Sequence, residues 1–490
     1  IRRNIRMKKL MRALIIGLIA VLLVACGSSG DRTTGSDSEG ALDGTSAVYN
    51  AETGQYEIEE DATLRLGVDN DDLGNALVAL WNETHPEHEG LVTFENIGAA
   101  GSADELPTQQ DALQDVLMVI DGETPRNVAH ILALEENLAK LVKDNAIESF
   151  YNAGNATEQT VYAPVTYDGM AFVTNLTLLE SLGLDTTDAN GDNLPDAFDT
   201  WEEIFALSES YIDNRPTITT RVLETDDEGN AVVTEEETEG KLNVVFPMSL
   251  NNEWSDYFAY TVEGWQLFKD GDPLNPGYDD PAFKAGFEFI LAAKDAQISV
   301  EESGALTPGA SMGWRWDNVL NGVNLAPFGL VGTWQDVAGM TAETGNEYAI
   351  SVMPTWKGNY PSPFVKTKGF VINTHTKYQS AAMELMRVIY SAEGFQAMVD
   401  NSSYAPSLNP DSEFTPDLTG KTVQEQFMSA FEYNYPEPAM MLPDNPQMKA
   451  MDAAWYGIIG TIAPEVWDGT MSVDDAIADL IELSTEKIEA

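Results

Sequence analysis

The sequence predicts an α/β protein built around a parallel sheet. Three observations carry this. From Thr63 to Ile120 the apolar residues alternate between two-residue and helical spacing, in the order strand, helix, strand, helix, strand. Val116 to Ile120 is an unbroken apolar run, as a strand covered on both faces requires. Acidic breaks, Asp69-Asn70-Asp71-Asp72 and Asp121-Gly122-Glu123, fall at carboxyl ends of strands, where open α/β sheets bind ligands.

The elements follow in order. Thr63 to Val68 alternates as a strand, Leu73, Leu77, Leu80 and Trp81 recur at helical spacing, and Leu91 to Phe94 is the next strand. Ala171 to Val173 is a strand, and Asp199-Thr200 can cap a helix over Trp201 to Tyr211. Between Pro216 and Gly240 two alternating stretches flank Asp226-Asp227-Glu228-Gly229-Asn230, which predicts a surface hairpin. Ala282 to Lys294 is an amphipathic helix, Tyr348 to Met353 and Gly369 to Ile372 are strands, and Ser380 to Tyr390, Glu393 to Val399, Met448 to Ile459 and Val473 to Ile488 are helices.

The N-terminus is of another kind. Arg2, Arg3, Arg6, Lys8, Lys9 and Arg12 precede an apolar run from Ala13 to Ala25, which ends at Cys26-Gly27-Ser28-Ser29-Gly30. A basic segment, a short apolar core and a small-residue exit make an export signal. The run is shorter than the ~20 residues a membrane-spanning helix needs. Leu23-Val24-Ala25-Cys26 resembles the bacterial lipobox, so Cys26, the only cysteine, is the expected lipidation site and the only membrane attachment. Residues 1–25 are then signal peptide. Residues 26–60, rich in Gly, Ser, Thr and Asp, are expected to be a flexible tether.

Charge sets further bounds. The chain has 26 basic and 80 acidic residues, net −54, and loss of the six signal cations takes it from −54 to −60. Nucleic acid is excluded as a partner, because each phosphate contact needs Lys or Arg. With one cysteine no intrachain disulfide forms, and the fold rests on its core. The acids are spread along the chain, as suits solubility in a salty medium. One acidic run is more specific. From Asp188 to Asp199, oxygen side chains fall at Asp188, Asn190, Asp192, Asp196 and Asp199, with the Leu194 carbonyl between, which is the ligand spacing of an EF-hand loop. This predicts a structural calcium; no other cofactor is required.

Several segments together resemble one family. Asp199-Thr200-Trp201-Glu202-Glu203-Ile204 is similar to its Thr-Trp-Glu-Glu helix start. Val352-Met353-Pro354-Thr355-Trp356-Lys357-Gly358, then Pro363-Phe364-Val365, resembles its Leu-Pro-Thr-Phe-Lys-Gly and Pro-Phe-Val stretch. Ser391-Ala392-Glu393-Gly394-Phe395 and Pro446-Gln447-Met448 followed by Trp455-Tyr456 match two more of its segments. The family is the extracellular solute-binding proteins of ABC sugar importers, with the maltose/maltodextrin-binding branch as the nearest likeness, from about Leu64 to the C-terminus. Two residues are added between Pro446 and Trp455, Val119 stands where that branch can have a binding Trp, and its Lys near Asp72 is missing.

The resemblance implies a two-lobed periplasmic-binding-protein-like α/β fold, with mixed, mainly parallel sheets and a ligand cleft between lobes. Residues 61–166 plus 370–424 would form one lobe and 167–369 plus 425–490 the other. A monomeric, exported, lipid-anchored protein facing the outside or the periplasm would carry an oligosaccharide to permease subunits driven by a separate ATPase. Sugar rings stack on aromatics and their hydroxyls donate to carboxylates. Trp334 and Trp455 align with stacking positions, and Tyr456 accompanies the second. Tyr167 and Asp168 lie at a lobe crossing, Glu253 before Trp254 aligns with a binding carboxylate, and Asp71, Asp72 and Asp121 lie at strand ends.

The alternative class is a secreted glycan-active hydrolase, which needs two carboxylates about the scissile bond. The acids are too many to single out a pair. Gly309-Ala310-Ser311-Met312-Gly313 matches a nucleophile elbow, but Leu306-Thr307-Pro308 before it is loop-like rather than a strand. His85 and His88 read as an exposed loop pair, and no phosphate-binding loop of the ATPase kind is present. The expectation is a protein that binds and does not catalyse.

Overall fold

The computed structural model describes residues 46–155, 159–214, 216–238, 242, 245–246, 250, 253, 255–268, 275–296, 319, 326–363, 365–434 and 454–488. All lie within the unit Leu42–Ala490. Cys26 and the Gly309–Gly313 motif fall outside the described residues. Among the described residues no helix is long and apolar enough to cross a membrane.

The predicted strand–helix alternation is present. Two short strands, β1 (Tyr49–Asn50) and β2 (Gln55–Tyr56), precede β3 (Leu64–Val68), β4 (Val92–Asn96) and β5 (Val116–Ile120). β3 pairs in parallel with both β4 and β5. Helix Asp71–Thr84 buries Leu73, Leu77 and Trp81, and the Asn70 side chain caps it by accepting from the Leu73 amide.

The remaining strands of this sheet turn the other way. β6 (Ala163–Asn175) is 13 residues long and buried throughout. Its first half pairs antiparallel with β11 (Val365–Ile372), which pairs antiparallel with β5. Its second half lies between β9 (Phe328–Gly332) and β10 (Tyr348–Ser351), again antiparallel. The sheet is therefore mixed, and its parallel share is confined to β3, β4 and β5. The reason is that two long strands run in opposite directions through the middle of the molecule. The register shifts between Lys368 and Gly369, opposite Thr166 and Pro164. A side chain at Gly369 would come within 2.3 Å of the Ala163 carbonyl, so this bulge requires glycine.

Two large hydrophobic cores flank this crossing. One gathers Leu66, Leu77, Trp81, Met118, Val165, Phe370, Met383 and Tyr390. The other gathers Phe172, Trp201, Phe258, Phe289, Phe328 and Trp455. β6 contributes Ala163 and Val165 to the first and Met170 to Val173 to the second, so it passes between them. β11 does the same, with Val365 in one core and Phe370 and Ile372 in the other. Tyr404 and Ala405 likewise divide between the cores.

The outer elements match their sequence signals. Thr200 and Glu203 form a reciprocal capping box on helix Trp201–Tyr211. β7 (Ile218–Thr225) and β8 (Ala231–Thr238) form the hairpin, closed by Asp226, whose carboxylate accepts from the amides of Glu228 and Asn230. The C-terminal helices are Ile459–Trp467 and Val473–Ile488; the helix expected over 448–459 does not match, since 448–453 lie outside the described residues, 455–458 form turns, and the helix begins where that one was expected to end.

Two expectations change. Residues 46–60, expected in the tether, are folded. Glu59 accepts from the amides of Ser380 and Ala381, the Tyr56 amide donates to Glu384, and Ser46 donates to Gln379. His85 is not an exposed loop residue. It is 3% exposed and bonds Glu384 at 3.0 Å, with Arg387 on the same carboxylate. Helix Gln379–Ile389 carries Glu384 inward, a tertiary contact that local polarity does not signal.

Candidate functional site

Polar side chains concentrate where the two long strands pass between the cores. Lys366 on β11 pairs with Asp168 on β6, and Lys368 pairs with Thr166, so all four lie on one face of the ribbon. Lys368 Nζ lies 2.9 Å from Asp69 and 3.6 Å from Asp168. The Tyr404 hydroxyl donates to Asp69 at 2.7 Å, and Lys368 also sits 4.8 Å from the centre of the Tyr404 ring. Asp69 is the first residue after β3 and Asp121 the first after β5, so the cluster lies at the carboxyl ends of the parallel strands.

The electrostatics follow from burial. Removal from water pushes the Asp168 carboxyl up, against the pull of Lys368 and Lys366. Asp168, Tyr404 and Asp69 together hold Lys368 protonated, against its own burial. Lys366 is pulled down by burial, with Asp121, Asp168 and Glu123 opposing. Asp121 is raised to about 6 and Glu123 to about 7, both chiefly by burial.

Asp121 is occupied by the fold. It accepts from the amides of Gly122 and Thr367, tying the end of β5 to β11. Glu123 accepts from the amides of Gly101 and Ala103 at the start of helix Ser102–Gln109.

One aromatic stands open beside the crossing. Trp334 is 37% exposed, and its ring lies over Gly332 at the end of β9, where an added Cβ would meet it at 2.4 Å. Its neighbour Thr333 donates from its amide to Gly169 and from its hydroxyl to Tyr167, the residues on either side of Asp168. Ser403 donates to the Thr333 carbonyl. An exposed indole is thus fixed next to a set of partly buried acceptors, an arrangement that can receive a ligand with apolar faces and hydroxyl edges.

Residues 85–422, more than half of the chain, match the family model described as bacterial extracellular solute-binding protein. The chain belongs to that family. No curated protein matches it closely enough to add to this. As a bacterial extracellular solute-binding protein it has a ligand to bind and ABC-type import components to serve, and it works outside the cytoplasm. The mixed α/β architecture described above is that of a two-lobed solute-binding fold.

Within this solute-binding protein the expected site residues divide. Asp121, Tyr167, Asp168 and Trp334 come together at the crossing. Tyr167 presents little surface there, since its ring stacks on Phe431 at 4.7 Å and meets Phe150 edge-on. Asp71 and Asp72 are exposed in the first turn of helix Asp71–Thr84, where the helix dipole favours them, and Asp71 accepts from Asn96. The helix begins sooner than the strand-end loop reading allowed, and Asp69 is the carboxylate turned inward.

Glu253, Trp455 and Tyr456 form a second group. Trp455 donates from Nε1 to the Glu253 carbonyl, and the Glu253 carboxylate accepts from the Gly457 amide. Trp455 is fully buried among Tyr257, Tyr260 and Trp265. A ring with no exposed surface cannot stack on a sugar in this conformation, so its place in the platform is corrected to the core. Tyr456 is half-buried against the same core. Trp254 lies outside the described residues.

Three residues of the crossing were missed, Lys366, Lys368 and Tyr404, and Asp69 was read only as part of the acidic break after the first strand. Lys366 and Lys368 had a signal. Two cations two apart in an otherwise apolar strand, in a chain poor in cations, mark a polar strip on one face.

In the acidic loop, Asp188 accepts from the amides of Gly191 and Asn193, Asp192 from Leu194, and Asp196 from Ala189. Asn193 takes φ 67°, as its place in a tight loop requires. Asp199 is raised to about 6 by burial first, then by Asp192, Asp196, Glu203 and Asp188, and its Oδ1 has no hydrogen-bond partner among the described residues. Among the described residues no group of three or more His, Cys, Asp or Glu is gathered closely enough to hold a metal ion.

Proposed function

We propose that this solute-binding protein carries a carbohydrate, an α-linked glucose oligomer in particular, and delivers it to a permease without chemically altering it. The carrying observation is Trp334, an exposed indole laid on the end of β9 and anchored through Thr333 to the backbone around Asp168. A curved glucose chain offers C–H ring faces to such an indole and hydroxyls to Asp168 and Asp69. Two cores joined by crossing strands support closure of two lobes, 61–166 plus 370–424 and 167–369 plus 425–490. Closure couples ligand to transport when the closed state binds better.

Calorimetry of the chain beginning after Cys26 with maltose, maltotriose and unrelated disaccharides tests this. Maltotriose is expected to bind and remain intact. Binding of none of these sugars, or release of glucose, overturns the reading. We also propose lipidation at Cys26, which Cys26→Ser abolishes in a lipid-labelling assay, and that calcium draws together the carboxylates of the loop Asp188–Asp199, which are not gathered around a metal position in this structure, and so relieves the repulsion at Asp199.

A further inference from the structure

Lys368 occupies an unfavourable place for an ammonium. Its side chain is 9% exposed, and its partners Asp69 and Asp168 are 13% and 7% exposed. The ion pairs are not needed to join the strands. The Tyr167 amide already donates to Ala405, the Ser407 amide donates to Val165, and β11 pairs with β6 along its length. Apolar side chains in place of Lys368 and both its carboxylate partners could fill the space, and replacing a whole buried ion cluster in this way is often neutral or stabilising, whereas removing one member alone is costly. Stability alone therefore does not account for the lysine.

Its geometry does. Lys368 contacts three segments at once: the end of β3 through Asp69, β6 through Asp168, and the segment after helix Ala392–Asn401 through Tyr404. These meet where the chain passes between the cores, beside Trp334. We propose that Lys368 is the positioning residue of the ligand site, aiming the carboxylates of Asp69 and Asp168 so that both accept hydrogen bonds from ligand hydroxyls. The carbohydrate reading supplies only the identity of those hydroxyls.

The charge balance makes the role testable. Lys368 faces Asp69, Asp168 and Tyr404; Lys366 shares its strand face, and Asp121 and Tyr162 lie beyond. Without Lys368, the buried Asp168 has less positive charge to oppose its burial and shifts further toward the protonated form. A protonated carboxyl donates one hydrogen and loses acceptor capacity. Loss of the lysine should then make the fold weaker at high pH and ligand binding weaker at low pH.

The experiment compares the chain after Cys26 with its Lys368→Met and Lys368→Arg variants at about pH 5 and about pH 8, by thermal melting and by maltotriose calorimetry. Lys368→Met should melt about 5 °C or more lower at the higher pH and much less so at the lower, because an unpaired buried carboxylate is costly only when charged. Its maltotriose affinity should fall about tenfold on acidification while the parent's stays level, and Lys368→Arg should restore both. Equal melting losses at both pH values, or a Met variant as stable as the parent at the higher pH, overturn the proposal. Failure of the parent to bind maltotriose removes the sugar reading and leaves the melting comparison to decide this one. Should Lys368→Met not fold, Asp168→Asn leaves Lys368 paired with Asp69 and should flatten the pH dependence of melting; a profile unchanged from the parent's overturns the coupling.

Discussion

Tyr404 donates its phenol hydrogen to Oδ1 of Asp69 at 2.7 Å, while Lys368 holds the other oxygen at 2.9 Å. Asp69 is thereby fixed by two residues far away in sequence, and its remaining lone pairs are aimed by them. Tyr404→Phe removes one of the two holds. The tyrosine is buried, so the loss is a hydrogen bond to a charged group, worth about 1.5–3 kcal/mol. Chemical denaturation of the variant should show a loss of that order, with weaker maltotriose binding beside it.

Trp334 and Trp455 should behave oppositely. Trp334→Ala removes a half-open ring that rests on Gly332, and stacking is worth about 1 kcal/mol per ring beyond plain burial. Ligand affinity should fall about tenfold, or 1.4 kcal/mol, with little change in melting. Trp455→Ala empties a fully buried site lined by Tyr257, Tyr260 and Trp265. It should cost about 3–5 kcal/mol of stability. Equal effects of the two substitutions on melting would contradict this division of roles.

That division also shows what the sequence made legible. Periodicity placed β3, β5 and the helices from Asp71, Trp201 and Pro281, because each signal is local to the element. Trp334 and Asp168 were picked out through their alignment and their places at an element end and a crossing, and the structure sets both at that crossing. Trp455 was misplaced because an exposed and a buried tryptophan look the same in one dimension. The neighbours that decide the difference, such as Tyr257 and Trp265, lie some 200 residues away. The partnership of Asp69 with Lys368 and Tyr404 escaped for the same reason, being formed only when β3, β11 and the chain after Asn401 meet. The antiparallel course of β6 and β11 has no local signal either, since a buried strand reads alike in both directions.

Calcium should act on the loop Asp188–Asp199 and nowhere near Trp334. The carboxylates of Asp188, Asp192 and Asp196 bear on Asp199, whose Oδ1 is buried. A divalent ion would relieve that repulsion and raise the melting temperature of chelator-treated protein. Asp192→Asn with Asp196→Asn should remove the response and leave sugar affinity intact. An unchanged melting curve on calcium addition to the parent would exclude the site.

Stability should rise as the medium becomes mildly acidic. Asp121 and Asp199 are raised to about 6 and Glu123 to about 7, in each case first by burial. An ordinary unfolded carboxyl titrates near 4. Between those limits the folded chain binds more protons than the unfolded one, so the free energy of unfolding falls as pH rises through the window. The contribution is full below about 4 and is lost as pH passes 6 to 7. Glu384 and Asp104 act in the other sense. His85 and Arg387 lower the first against its burial, Arg126 and Asn127 lower the second, and both lose their contribution as the pH falls below the ordinary carboxyl range. The optimum is therefore expected near pH 5, and it is not the neutral point. Asp121→Asn removes the most buried of these three groups, and its amide has a single acceptor oxygen where Asp121 uses one oxygen for the Gly122 amide and the other for the Thr367 amide. That variant should be weaker than the parent near pH 5 and should lose less stability between about pH 5 and about pH 8. A parent whose melting temperature climbs steadily from pH 5 to pH 8 would show that the buried carboxylates do not govern its pH response.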